Sequence, residues 1–278
     1  MPSVAGVQST LSADQYLQIG AARLRYRDEG VGPALVLIHG WTLDLEMWDA
    51  QVAALRDSFR LVRFDRRGFG LSSGTPAIEA DVEDLKCLCR HLALQRTALV
   101  GMSQGARAVL QFALAAPHCV SALILDGPPA LDAAAPDEDV AVAQFRALVH
   151  SHGIEAFRRE WRRHPLMQLR TEDRAMVQLL RRMLDRYPGR DLLGPAAAVP
   201  PEEPRPALGS LGMPALVLTG ELDLPSRIAS ADALSRRLPN AERRSIAAAG
   251  HLPGLDNPAV YNQLCRTFLA RHLSPTDS

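Results

Sequence analysis

The stretch Val100-Gly101-Met102-Ser103-Gln104-Gly105 decides how the rest of the chain is read. Before it, Thr97–Met102 is a short apolar run of strand length. After it, Gln104–Ala115 has helical spacing and stops before Pro117. A Gly-x-Ser-x-Gly pattern between a strand and a helix describes a very tight turn that pushes the serine side chain out at the carboxyl end of a sheet. Strand and helix nearly touch there, so the positions flanking the serine must be small; Gly101, Gly105 and Ala106 are. The helix start also aims free N–H groups and a positive dipole end at the serine. The five residues alone would also suit a plain strand–helix turn with an incidental serine, so the surroundings must arbitrate.

Outward from the turn, strands and helices alternate. Tyr16–Ile19 and Ala22–Tyr26 read as short strands joined through Gly20. Ala34–Ile38 and Phe59–Phe64 are continuous apolar-rich runs, the pattern of strands buried on both faces. Trp48–Leu55 and Asp81–Leu92 read as helices, the second with Val82, Leu85, Leu88 and Leu92 on one stripe. Beyond the serine come strands at Val120–Leu125, Ala215–Thr219 and Ala241–Ile246, and helices at Ala229–Leu238 and Pro258–His272, the last with Asn257 as N-cap. The expected class is therefore α/β: a mostly parallel central sheet covered by helices on both faces.

One segment breaks the rhythm. Residues 130–206 hold three helical patterns, Asp137–His150, Ile154–Trp161 and Thr171–Tyr187, and no convincing strand. A proline-rich tract from Gly194 to Pro206 returns the chain to the sheet. The expected organisation is a core of residues 1–129 and 207–278 with a helical cap inserted at 130–206.

Serine needs a base near neutral pH, and the base needs an orienting group. Asp223, in Gly220-Glu-Leu-Asp223, follows the strand Ala215–Thr219, and His251, in Ala249-Gly-His251, follows the strand Ala241–Ile246. Both fall on the same sheet edge as Ser103, where open parallel sheets build their sites. The chain order serine, aspartate, histidine accompanies this kind of turn. Rival acids are Glu221, nearer its strand, and Asp126, which also ends a strand; Gly220 supplies the turn that favours Asp223. Attack by Ser103 on a carbonyl would create a negative oxygen needing fixed donors. The expected donors are the N–H of Gln104 and the N–H of Trp41, in the loop His39-Gly40-Trp41, where His39 and Gly40 shape the loop.

The bulk numbers are compatible with this. The chain has 278 residues with zero formal net charge, which speaks against a nucleic-acid or anionic-membrane binder held by bulk electrostatics. Lys86 is the only lysine, an imbalance read as base composition rather than anion recognition. No apolar run reaches the roughly 20 residues of a membrane span, and Met1–Gln18 has no secretory pattern, so a cytoplasmic protein is expected. Cys87, Cys89, Cys119 and Cys265 are too few for a disulfide scaffold. His150 and His152 read as surface residues; no metal and no cofactor is expected. The expected partner is a small-molecule substrate, and a homodimer is left open.

Taken in order, Leu37-Ile-His-Gly-Trp41, Phe64-Asp-Arg-Arg-Gly-Phe-Gly-Leu-Ser72, Val100–Gly105, Gly220-Glu-Leu-Asp223 and Gly250-His251 resemble the α/β-hydrolase superfamily across the sheet portion. Within it the chain looks most like the small capped hydrolases grouped with 3-oxoadipate enol-lactonases, esterases and cofactor-free haloperoxidases. The resemblance implies a structural role for Asp65–Ser72, bracing the floor of the site. Serine at position 103 speaks against epoxide hydrolases and haloalkane dehalogenases, which use aspartate there. Met102 and Leu252-Pro253-Gly254 depart from the meta-cleavage C–C hydrolases. The expected activity is hydrolysis of a carboxylic ester or lactone. Use of the same three residues for C–C hydrolysis or perhydrolysis, or a non-catalytic receptor on the same fold, remain alternatives. In the cap, Trp161, His164, Leu166 and Met167 are the expected pocket-lining residues, because binding sites are mostly apolar with a few polar groups. Arg158, Arg159, Arg162, Arg163, Arg170 and Arg174 read as solvated helix faces; one of them turned inward would instead clamp a substrate carboxylate.

Overall fold

The computed structural model describes residues 12–130, 139–194 and 207–273. Among them, eight strands form one sheet: β1 (Gln15–Ile19), β2 (Ala22–Glu29), β3 (Ala34–Ile38), β4 (Arg60–Phe64), β5 (Thr97–Met102), β6 (Val120–Asp126), β7 (Ala215–Gly220) and β8 (Ala241–Ile246), in the order β1-β2-β4-β3-β5-β6-β7-β8. β1 and β2 run antiparallel at one edge, and every pairing from β4 to β8 is parallel. β3, β5, β6 and β7 are buried along their whole length, as apolar runs with no polar alternation require.

The helices are α1 (Asp49–Leu55), α2 (Ile78–His91), α3 (Gln104–Ala115), α4 (Val142–His152), α5 (Ile154–Trp161), α6 (Arg174–Arg186), α7 (Arg190–Leu193), α8 (Pro225–Arg237), α9 (Pro253–Asp256) and α10 (Pro258–His272). Successive strand residues face opposite ways, and this divides the interior in two. Ala34, Val36 and Ile38 pack with α2, α3 and α8 through Leu85, Val109 and Leu234. Leu35 and Leu37 pack with α1 and α10 through Val52, Leu55 and Phe268. At roughly 1.5–3 kcal/mol per large apolar side chain buried, these two layers dominate the stability of the sheet.

Chain order places the site. From β3 the chain moves to β4 on one side, then crosses back to β5 on the other. The carboxyl ends of β3 and β5 therefore flank the point where the strand order reverses, the crevice that open parallel sheets offer to ligands.

Helices α4–α7 lie between β6 and β7 in the chain. Their apolar residues, among them Phe157, Trp161, Leu180, Met183 and Leu192, join the same cluster as Leu37, Val100 and Leu218 of the sheet. The inserted segment thus shares one apolar layer with the sheet.

Several boundaries differ from the sequence reading. β2 runs on to Glu29 because Arg27, Asp28 and Glu29 pair with β4 and have partners for their charges: Arg60 holds Asp28, and Arg63 holds Glu29. α2 begins at Ile78, α8 at Pro225 with the proline in its first turn, and α6 at Arg174, where Asp173 caps the N–H of Ala175. α4 begins at Val142 rather than Asp137, which lies outside the described residues, as does the tract 195–206. The four cysteines are free.

Candidate active site

Ser103 joins β5 to α3 with φ 52° and ψ −116°, a backbone region that non-glycine residues rarely occupy. Its N–H donates to the carbonyl of Asp126, at 2.7 Å, and its carbonyl accepts from Ala106, at 2.9 Å. The small neighbours are obligatory. A Cβ on Gly101 would stand 2.5 Å from the Gly105 carbonyl, and one on Gly105 would stand 2.4 Å from that of Ile38. The turn can be this tight only because both side chains are absent.

His251 and Asp223 form a buried pair. The imidazole Nδ1 lies 3.1 Å from Oδ1 and 3.0 Å from Oδ2 of Asp223, and both side chains are almost wholly shielded from solvent. Nδ1–H therefore donates to the carboxylate, which leaves Nε2 as a proton acceptor. Asp223 Oδ1 also accepts from the N–H of Leu224, at 2.7 Å. The loops carrying the pair are pressed together: a Cβ on Gly220 would lie 2.1 Å from the Gly250 carbonyl. This is the reason for glycine in the turn before Asp223.

Two glycines locate the serine and the imidazole. A Cβ on Gly40 would lie 3.4 Å from Cβ of Ser103, and one on Gly127 would lie 2.9 Å from Cε1 of His251. Gly127 directly follows Asp126, whose carbonyl holds the serine N–H. The loop after β3, the serine turn, the end of β6 and the Asp223–His251 pair thus converge at one rim of the sheet.

The rival acids sit differently. Glu221 is exposed, and its Oε2 accepts from the N–H of Ala248. The carboxyl of Asp126 is fully buried, with Oδ1 lacking a hydrogen-bond partner. Burial, and secondly the nearby charge of Asp223, push it well above the usual carboxylate range. It is Asp223, not Asp126, that holds the imidazole.

The loop after β3 is braced from below. His39 is completely buried; its Nδ1 pairs with the Gly40 carbonyl at 2.7 Å, and its Nε2 accepts the N–H of Arg66 at 2.9 Å. Burial, and then the charge of Arg66, hold it down to about 3, so the ring is neutral. Arg66 in turn binds Asp81 and donates from Nη1 to Oε1 of Gln104, at 2.7 Å. This anchors the first side chain of α3 and leaves the Gln104 N–H at the helix start. In the loop Asp65–Ser72, Asp65 accepts from the N–H groups of Leu45 and Leu71.

Among the other expected site residues, Trp41 donates its indole N–H to Asp191 Oδ2, at 2.5 Å. Trp161 is buried, donates to Oγ1 of Thr42 at 2.8 Å, and stacks on His164 with centroids 4.4 Å apart. His164 is half-buried; burial lowers its pKa, and His251 and Arg227 are among the groups acting on it. Leu166 and Met167 are buried in the same apolar cluster as Met102 and Leu252, which flank Ser103 and His251 in sequence. None of the six arginines considered as a clamp is buried: Arg158 and Arg162 are paired with Glu155 and Asp185, and the other four are exposed.

One positioning residue escaped the sequence reading. Asp256 accepts from the N–H of Gly250 at 2.8 Å and from the N–H groups of Arg170 and Thr171 at 2.5 and 3.1 Å. It ties the His251 loop to the inserted segment. Its only signal in the sequence is its place just before the N-cap Asn257. Among the described residues no group of three or more His, Cys, Asp or Glu could hold a metal ion, and no helix is long and apolar enough to cross a membrane.

This sheet order, with a serine turn after β5 and a paired aspartate and histidine after β7 and β8, defines an α/β hydrolase. The chain belongs to that family: residues 33–258 match the alpha/beta hydrolase fold model. It is 28% identical over 269 residues to a pimeloyl-[acyl-carrier protein] methyl ester esterase of Pectobacterium carotovorum, covering 89% of this chain and 98% of that one. The structure of a thermophilic esterase from Thermogutta terrifontis superposes with a TM-score of 0.77 at 28% identity, over 94% of this chain and 100% of the other. An enol-lactonase from Burkholderia xenovorans shares the fold, with a TM-score of 0.75 at 23% identity over 92% of this chain and 100% of that one.

Proposed function

We propose that the chain is a serine hydrolase that cleaves a carboxylic ester or lactone of a small molecule through an acyl-enzyme. The observation that carries this is the buried imidazole of His251, pinned through Nδ1 on Asp223 and lying against Gly127, beside the strained turn that presents Ser103. Nε2 takes the proton of Ser103 as Oγ attacks the carbonyl carbon. The tetrahedral oxyanion is met by the N–H groups of Trp41 and Gln104. His251 then gives its proton to the leaving oxygen, and a water activated by the same nitrogen releases the acid and frees Ser103. Asp223 keeps its charge throughout and stabilises the imidazolium.

The inserted helices cap this site, with Trp161, His164, Leu166 and Met167 lining the pocket. Because none of the six cap arginines considered is buried, the reading favours ester and lactone substrates without a carboxylate held by those side chains. Matched neutral and carboxylated esters test that preference directly. The main test is Ser103→Ala. It should abolish hydrolysis of short and medium acyl esters and block labelling by a fluorophosphonate, with the fold intact. A folded variant with full activity sinks the reading; a wild type that neither hydrolyses nor labels points to a ligand receptor on the same fold.

A further inference from the structure

Two indole N–H groups cross between the inserted helices and the loop after β3, in opposite directions. Trp41 of the loop donates outward to Asp191, in α7. Trp161, at the end of α5, donates inward to the hydroxyl of the next loop residue, Thr42. The two rings meet edge to face, with centroids 4.8 Å apart. Asp191 is fixed as well: its second oxygen accepts from the Tyr187 hydroxyl, and Arg146 of α4 binds its backbone carbonyl at 2.7 Å.

Thr42 makes this pairing consequential. It is buried and has φ 65°. A β-branched residue in the left-handed region is strained, by about 1–2 kcal/mol. Left alone, the loop would relax by rotating the peptide groups on either side of Thr42. The flanking peptide on the N-terminal side carries the Trp41 carbonyl, so its rotation turns the Trp41 backbone and shifts the next peptide along, whose Trp41 N–H is the donor on which oxyanion stabilisation rests. What opposes the relaxation is the hydroxyl held by Trp161 and the neighbouring indole held by Asp191.

We infer that Trp161 and Asp191 are positioning residues for the oxyanion site, so that the inserted helices hold Thr42 in its strained conformation and aim the Trp41 N–H. This deepens the hydrolase reading and rests on it. The helices then act on the transition state as well as on substrate choice. The oxyanion exists only after attack, so loosening the ties should lower kcat and leave substrate binding nearly unchanged.

The test compares Thr42→Val, Trp161→Phe and Asp191→Asn with wild type on one ester. Thr42→Val keeps the branched side chain and loses the hydroxyl; the other two are near-isosteric. Each should lower kcat about ten- to hundred-fold, less than the complete loss of one oxyanion donor; KM should stay within about two-fold for Thr42→Val and Asp191→Asn, whereas Trp161→Phe also trims the pocket wall and is judged on kcat alone. Affinity for a boronic acid that adds to Ser103 should fall in parallel. Thr42→Ser, which restores the hydroxyl, should recover kcat. The double variant Thr42→Val/Trp161→Phe should be no slower than the worse single variant, because both remove one bond. Unchanged kcat in folded variants, a loss confined to KM, or fully additive losses would overturn the inference while Ser103→Ala still supports the hydrolase reading. If wild type is not labelled by fluorophosphonate, the hydrolase reading fails and this inference falls with it.

Discussion

Replacing Asp223 by Asn separates the proposed acid from its buried neighbour. In the wild type, His251 Nδ1 lies within 3.1 Å of both carboxylate oxygens, and the Asp223 side chain is fully shielded. The variant loses the charge and turns one of the two acceptors into a donor. A hydrogen bond to a charged partner contributes about 1.5–3 kcal/mol. An imidazolium formed without its counter-charge in a buried site costs about 3–5 kcal/mol. The two overlap, so a barrier increase of about 4–6 kcal/mol is expected, or roughly a 10³–10⁴-fold loss of kcat. Asp126→Asn, by contrast, should change kcat less than about ten-fold, because it is the Asp223 carboxylate, not the buried carboxyl of Asp126, that hydrogen-bonds the imidazole. Steady-state ester hydrolysis by the two variants, each checked for native circular dichroism, measures both numbers. A loss under ten-fold in Asp223→Asn, or the large loss appearing in Asp126→Asn instead, would refute the assignment of the acid.

Gly127→Ala should lower kcat by about ten-fold or more, since its Cβ would stand 2.9 Å from His251 and Gly127 has φ 51°; activity equal to wild type would mean the imidazole can move without consequence. Asp256→Ala frees three backbone N–H groups around the His251 loop, so the melting temperature should fall by several degrees and kcat with it; a thermal scan and an ester assay report both. His39 sets an acid limit. Its folded pKa of about 3 lies below the 6.5 of an exposed ring, so the unfolded chain takes up the proton first as pH falls. Its contribution is complete above about pH 6.5 and is lost on the way down to pH 3, by at most about 5 kcal/mol at roughly 1.4 kcal/mol per unit. His39→Gln should therefore flatten the pH dependence of urea unfolding between pH 6.5 and 4; an unchanged slope would show that another group controls it.

The parts of the fold that were legible in the sequence are those where one physical signal acts alone. Ala34–Ile38 and Thr97–Met102 are uninterrupted apolar-rich runs, and both strands fall where the runs do. β2 extends past Tyr26 because Asp28 and Glu29, charged residues that read as solvated loop, find partners in Arg60 and Arg63 of β4. Those partners lie more than thirty residues away in the chain, beyond the reach of local periodicity. α8 begins at Pro225, four residues before the expected Ala229, because a first-turn proline loses no hydrogen bond. The positions of Ser103, Asp223 and His251 shortly after β5, β7 and β8 follow from the strand pattern, and the structure brings the last two into hydrogen-bonding contact. The part of Asp256 is not legible, since a carboxylate serving three backbone N–H groups leaves no local mark in the sequence.

The inserted segment shows where that logic stops. Its helices were legible as amphipathic patterns, but what their apolar faces cover was not. Phe157, Trp161 and Met183 could equally have packed on one another in a self-contained unit; the structure instead merges them with Leu37 and Val100 of the sheet. A segment that shares its apolar layer with the strands ending at the serine cannot shift as an independent body without exposing that layer. Exposing even three large side chains would cost about 5–9 kcal/mol. Opening for substrate should therefore be confined to parts of the segment that contribute little to the layer. The half-buried His164 ring, stacked on the anchored Trp161, marks the boundary between what is held and what can yield. Hydrogen exchange should separate the two: slow, nearly global protection at α5 and the buried turn of α6, and faster exchange at the exposed start of α4, Val142–Gln144. Uniformly fast exchange across α5 and α6 would show that the segment opens as a unit and that the shared layer does not restrain it.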